Sequence, residues 1–196
     1  MSPVTHFFTG WAIASTVPSL EKRDRALITL ACVVPDIDGL GIVPELLTRH
    51  SAHPLDWFSL YHHRLHNLAF AIVVTAIVLA LANRTWLTGV MAFASFHVHL
   101  FEDVIGARGP DGYQWPIPYL SPFSHAADII WSHQWALNAW PNLAITVALL
   151  LVTLYLAWKR GFSPLEMISP RADGVFVQAL RARFPHAQNE NPSIPA

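Results

Sequence analysis

Charged side chains are scarce in this chain: Asp, Glu, Lys and Arg make up 13% of its 196 residues, about half the roughly 25% of an ordinary soluble domain. Residues 129 to 158 contain none of them, a run that a water-facing helix does not tolerate easily. The scarcity argues against a soluble globular protein and for a bilayer as the natural solvent. A basic excess is also missing. Twelve Lys and Arg against 13 Asp and Glu give a formal net charge of −1, which excludes the phosphate-neutralising footprint of a nucleic-acid binder. One cysteine, Cys32, allows neither an internal disulfide nor a thiolate metal cluster. No Lys or Arg precedes Lys22, so the first apolar stretch lacks the basic region of a cleaved signal peptide and is expected to stay in the membrane.

What the chain has instead is apolar length, with 53% hydrophobic residues. Residues 7–20 and 26–35 are short apolar runs separated by a charged turn at 21–25. Residues 65–83 and 85–101 read as a second helical hairpin broken at Asn83-Arg84, and 139–158 as the clearest transmembrane helix, with Trp140 and Trp158 at its ends. The first two runs fall short of the ~20 residues of a full span. The expected fold is all-α: a multi-pass membrane bundle of about five helices over residues 1–160. Residues 161–196 are expected to be cytoplasmic, with an amphipathic helix at 172–184 and a disordered tail beyond Pro185. Five crossings put nine of the 12 Lys and Arg on one side, leaving Arg49, Arg64 and Arg108 on the other. By the positive-inside rule the first side is cytoplasmic and the loops 39–64 and 102–138 face outward.

Ten of the 11 histidines, all but His186, then gather at or near the outward side. The same chemistry recurs at each outward helix end: His6 before the first helix, Asp36 and Asp38 after the second, His62, His63 and His66 opening the third, His99 and Asp103 closing the fourth. Imidazole mixed with carboxylate suits Zn²⁺, Mn²⁺ or Fe²⁺ better than Mg²⁺ or Ca²⁺. On a helix, His99 and Asp103 share a face at i and i+4, and His62 and His66 would do the same. In Pro35-Asp36-Ile37-Asp38-Gly39 two carboxylates stand at a helix exit. Ionisable groups collected at one membrane depth mark a functional site. The preferred ligands are His6, Asp36, His66, His99 and Asp103, with Asp38 and His63 next, enough for one or two ions. His97 is turned away from His99. Arg64 is either an anion-binding group or a snorkelling residue. The aromatic and turn-rich loop 106–122 is either a substrate wall or an interfacial belt.

The order of Thr5-His6, Pro35-Asp36-Ile37-Asp38, the His-Arg cluster, His99 with Asp103, then Gly112 and Trp115-Pro116 resembles the bacterial family of inner-membrane-associated, metal-dependent hydrolases over residues 3 to 122. In that family the third element reads HRGxTHS. Here the stretch is Tyr61-His62-His63-Arg64-Leu65-His66-Asn67, which leaves the choice between His62 and His63 open. The resemblance implies an inner-membrane hydrolase whose one or two divalent ions, Zn or Mn, activate a water. The expected substrate is an ester or phosphoester of a lipid or another amphiphile, with Arg64 on the phosphate. The alternative is a divalent-metal-binding or metal-transporting membrane protein without hydrolytic activity. Against transport, few polar groups continue through the third and fifth helices.

Overall fold

The computed structural model describes residues 1–109 and 112–185. The chain divides into two units, Met1–Thr153 and Leu154–Ala196. In the first, Ser2 caps α1 (Pro3–Ala14) by accepting from the Thr5 amide, and Pro3 begins the helix where no amide partner is needed. Next comes α2 (Lys22–Ala31), which packs closely against α1. Gly10 permits that approach, because a Cβ there would lie 2.7 Å from Cys32 Cβ and 2.9 Å from the Thr29 carbonyl. A 3-10 turn, Val34–Gly41, carries Asp36 and Asp38 into α3 (Ile42–Thr48), followed by α4 (Trp57–Tyr61). Asn67 caps α5 (Leu68–Leu81), which packs antiparallel-hairpin fashion on α6 (Thr85–Gly106). Ile28, Phe96, Ala71, Val74 and Val78 form the apolar centre of these helices. After α6 the chain makes a two-stranded ribbon, β1 (Ile117–Pro118) with β2 (Asp128–Ile129), and then enters α7 (Trp140–Arg160), whose end belongs to the second unit.

Two sequence expectations change. Residues 21–25 are not a charged turn: Lys22 to Arg25 form the first turn of α2, and the break falls between Ser15 and Glu21. The charges have internal uses there. Buried Asp24 accepts from the Asn83 amide at 2.8 Å and the Arg84 amide at 3.2 Å, tying α2 to the α5–α6 turn, while Arg25 donates to the Leu20 carbonyl. Nor do the histidines at 62, 63 and 66 open a helix. They form the turn between α4 and α5, so no helical i, i+4 face joins His62 to His66. Asp38 holds this turn by accepting from the Leu65 amide at 2.9 Å, and His63 takes the left-handed conformation at φ 70°. That conformation costs about 1 to 2 kcal/mol in a non-glycine residue.

By length and composition α7 is fit to cross a membrane, and only 17% of its apolar window is buried. The pair Lys22–Ala31 and Val34–Thr48, bent by 50°, passes only when counted as one broken span, and α5 is apolar but short. In the second unit, the end of α7 is followed by a 3-10 turn (Pro164–Met167) and α8 (Pro170–Arg183). Asp173 fastens the two by accepting from the Ser163 amide at 2.7 Å and its hydroxyl at 2.6 Å. The tail expected to be disordered, with His186, lies outside the described residues, as do Pro110 and Asp111 of the aromatic loop.

Candidate metal centre

Three elements and one turn converge at the C-terminal end of α6. His6 comes from the first turns of α1, Asp36 from the 3-10 turn after α2, His66 from the turn before α5, and His99 with Asp103 from α6. His6, His66 and His99 are fully buried and Asp103 nearly so.

Two of the three imidazoles, His6 and His99, are held at Nδ1 by an acceptor behind the ring, while Asp38 stands behind His66 without a hydrogen bond to its Nδ1. Glu102 Oε2 lies 2.6 Å from His6 Nδ1, the Cys32 carbonyl 2.7 Å from His99 Nδ1, and Asp38 Oδ2 3.4 Å from His66 Nδ1. Glu102 is itself fixed by the Thr9 hydroxyl, which donates at 2.6 Å. For His6 and His99, anchoring at Nδ1 sets the ring orientation and aims Nε2 inward, the usual arrangement behind a metal-binding histidine.

The three Nε2 atoms face two carboxylates. Asp103 Oδ1 lies 3.2 Å from His6, and Asp103 Oδ2 lies 3.3 Å from His66 and 3.2 Å from His99. Asp36 stands slightly farther, at 3.9, 3.7 and 3.8 Å from the same nitrogens. His66 Nε2 and His99 Nε2 are 3.0 Å apart. Two imidazole nitrogens that close are comfortable only with a proton or a cation between them. His6 Nε2 and Asp36 Oδ2 are buried without a hydrogen-bond partner among the described residues, and a buried polar atom left so costs about 1 to 3 kcal/mol.

Single donor atoms of His6, Asp36, His99 and Asp103 lie within 4.8 Å of one another, as do those of His63, His66 and Asp103. This nitrogen and carboxylate set fits a divalent transition cation, with Asp103 shared between two groups. The Met1 ammonium also contacts Asp103. Burial opposes protonation of His66, but Asp103, Asp36 and Asp38 outweigh it and raise its pKa well above the ordinary histidine range. Burial and the neighbouring His66 and His62 push His63 well below that range.

Around this cluster the remaining sequence candidates separate. Asp38 spends its oxygens on His62 Nδ1 at 3.2 Å, the Leu65 amide and the back of His66. His62 stacks on Phe58, whereas His63 keeps a buried Nδ1 without a hydrogen-bond partner among the described residues. Between the two, geometry favours His63 as a ligand. His97 contacts the Phe93 carbonyl and the Tyr119 hydroxyl, away from the cluster. Arg64 is exposed and its Nε donates to the Leu60 carbonyl at 3.3 Å. Glu102 was not among the sequence candidates. Its position three residues after His99, beside Asp103 in an otherwise apolar helix, was the available signal.

Two cavities open on this end of the protein. One of about 390 Å³ reaches Asp36 and Asp103 between Leu40, Phe58, Trp115 and Leu137; the other, of about 220 Å³, includes Arg64, Tyr113, His125 and Asp128.

A family model described as YdjM inner membrane protein matches residues 1–165. The chain belongs to the YdjM inner membrane protein family. The match takes in every residue of the cluster and the whole of α7, while α8 lies past its end. Membership sets the inner membrane as the location and agrees with the exposed apolar surface of α7. No match to the chain was found among the curated proteins or the solved structures.

Proposed function

We propose that this YdjM-family protein is a metal-dependent hydrolase embedded in the inner membrane by several helices, acting on an ester or phosphoester of a lipid or another amphiphile. The observation that carries the reading is the set of three buried imidazoles, two of them anchored at Nδ1, whose Nε2 atoms meet Asp36 and Asp103. His6, Asp36, His99 and Asp103 would hold one cation, and His63, His66 and Asp103 a second. Zinc or manganese would supply Lewis acidity, making water a nucleophile near neutral pH and polarising the bond under attack. Glu102 and the Cys32 carbonyl keep His6 and His99 in position, so little reorganisation of these two rings is required when a substrate arrives. Exposed Arg64 would bind the phosphate through its planar fork.

The membrane arrangement belongs to the same proposal. Exposed Ile72, Val73 and Ile77 on α5, Trp86 and Val90 on α6, and Leu143, Val147 and Leu151 on α7 give three helices apolar outer faces suited to lipid. The uneven Lys and Arg distribution puts the cluster on the outward side. Cysteine introduced at exposed Ala126 should react with an impermeant reagent on intact cells, and cysteine at exposed Ala172 should not. The reverse pattern would overturn the sidedness.

The activity is tested by metal analysis of detergent-purified protein, followed by ester and phosphoester substrates with and without a chelator. Turnover that requires Zn²⁺ or Mn²⁺ is expected. Turnover that survives exhaustive chelation would remove the metal-dependent mechanism, and bound metal without turnover would favour a metal-binding or metal-carrying role.

A further inference from the structure

The two cavities beside the cluster differ in chemistry and share one wall. The inner one, about 390 Å³, is lined by Pro3, Leu40, Ile42, Phe58 and Leu137 and ends at Asp36 and Asp103. Its size lies in the range of small-molecule sites, roughly 300 to 1,000 Å³. The outer one, about 220 Å³, has Arg64, His125 and Asp128 among its lining. His62, His63 and Trp115 line both. Trp115 stands with its ring centre 5.0 Å from that of His62 and 5.2 Å from that of His63, and Phe58 stacks on His62 at 4.4 Å. The two cavities therefore meet along a seam of these rings.

From this juxtaposition we infer that the site takes a single-chain phosphate amphiphile, with the alkyl chain in the inner cavity, the headgroup in the outer cleft at Arg64, and His62, His63 and Trp115 along the seam where the two meet. The inference rests on the hydrolase reading for its cations and deepens it by naming the substrate class. An apolar chain gains by leaving water for the inner cavity, about 0.8 kcal/mol per buried methylene. Arg64 matches a phosphate because its guanidinium can donate two parallel hydrogen bonds. Asp36 and Asp103 line the same cavity that would take the chain. A small soluble phosphate would leave the apolar walls unused, and a neutral alcohol would leave Arg64 unused.

The test is photolabelling of the metal-free protein in lipid nanodiscs with dodecyl phosphate carrying a diazirine at the end of its chain. Cross-links are expected on peptides containing Leu40, Ile42 or Leu137. They should saturate and be displaced by unlabelled dodecyl phosphate, but not by inorganic phosphate at the same concentration. Leu40→Asp and Arg64→Gln change exposed residues, so the fold should survive both. Leu40→Asp should cut cavity labelling about tenfold, and Arg64→Gln should raise the half-saturating concentration about tenfold for the phosphate probe but not for its dodecanol counterpart. Labelling that never saturates and falls on the outer faces of α5 and α7 would overturn the inference. So would displacement by inorganic phosphate alone, or an equal effect of Arg64→Gln on both probes. Saturable cavity labelling with no turnover of dodecyl phosphate once Zn²⁺ or Mn²⁺ is restored would support the binding site and remove the hydrolase reading, whereas metal-dependent turnover without cavity labelling would do the opposite.

Discussion

Helices α6 and α7 have nearly the same length, 22 and 21 residues, and use their polar residues in opposite ways. In the first part of α7 they are few and satisfied: Asn142 donates to the Gly106 and Leu137 carbonyls and accepts from Trp135 Nε1, and Thr146 bonds Thr5, whereas farther along the buried Thr153 hydroxyl has no hydrogen-bond partner among the described residues. Its apolar Leu143, Val147 and Leu151 face outward. The end of α6 buries His99, Glu102 and Asp103 beside nitrogens and oxygens that lack partners. Asn142 and Thr146 in α7 close contacts. The corresponding groups at the end of α6 are ones that could hold a cation, and removing residues from the two helices should have different consequences.

The largest effect is expected on metal content. His99→Ala and Asp103→Ala should each abolish most bound metal in the purified protein, because each removes an atom that faces the shared space. His97→Ala should leave metal content intact, since that ring bonds Phe93 and Tyr119 instead. Equal loss in all three variants would dissolve the contrast between α6's buried end and the rest of the helix.

A smaller effect should follow from Glu102→Ala. The carboxylate stands behind His6 at Nδ1, and loss of such a support typically costs 10- to 100-fold in metal affinity. Competition against a chromogenic chelator would measure it. Asn142→Ala tests the other helix: it should lower unfolding stability by about 1 to 3 kcal/mol, read by thermal melting, with no change in metal content. Metal loss from Asn142→Ala would show that α7 shares in the site.

The mildest effect is a pH dependence of the metal-free protein. His66 is raised in the folded state, so its stabilising contribution is complete below its unfolded value, near 6.5, and is lost as pH climbs toward the raised value. His63 is lowered, so its contribution is complete above about 6.5 and is lost as pH falls. Together they should give a stability maximum near the ordinary histidine value of about 6.5. His66→Ala should flatten the alkaline limb and His63→Ala the acid limb. Metal binding must expel the His66 proton, so metal affinity should rise with pH over the same alkaline range.

Much of this arrangement could be read from residue spacing, and the exceptions have physical causes. The pairing of His99 with Asp103 is helix geometry, and the apolar run of α7 announces itself by composition. His6 and Asp36 were found because each lies beside an apolar run. Spacing failed at residues 62–67: a left-handed His63 and two contacts from Asp38 make a turn where a helical i, i+4 pair was expected. It failed again at 21–25, where Lys22 to Arg25 are helical and Asp24 accepts long-range bonds from the α5–α6 turn that spacing does not reveal. The support of His99 by the Cys32 carbonyl could not be read at all, because a backbone acceptor carries no side-chain signature.

X-ray absorption spectroscopy of the metal in the full-length purified protein tests the central claim most directly. A divalent ion ligated by imidazole nitrogen and carboxylate oxygen at about 2.0 to 2.2 Å is expected, and the imidazole scattering should diminish in His99→Ala. A sulfur ligand at about 2.3 Å, or protein that takes up no metal, would contradict the assignment of His6, Asp36, His66, His99 and Asp103 to a metal centre.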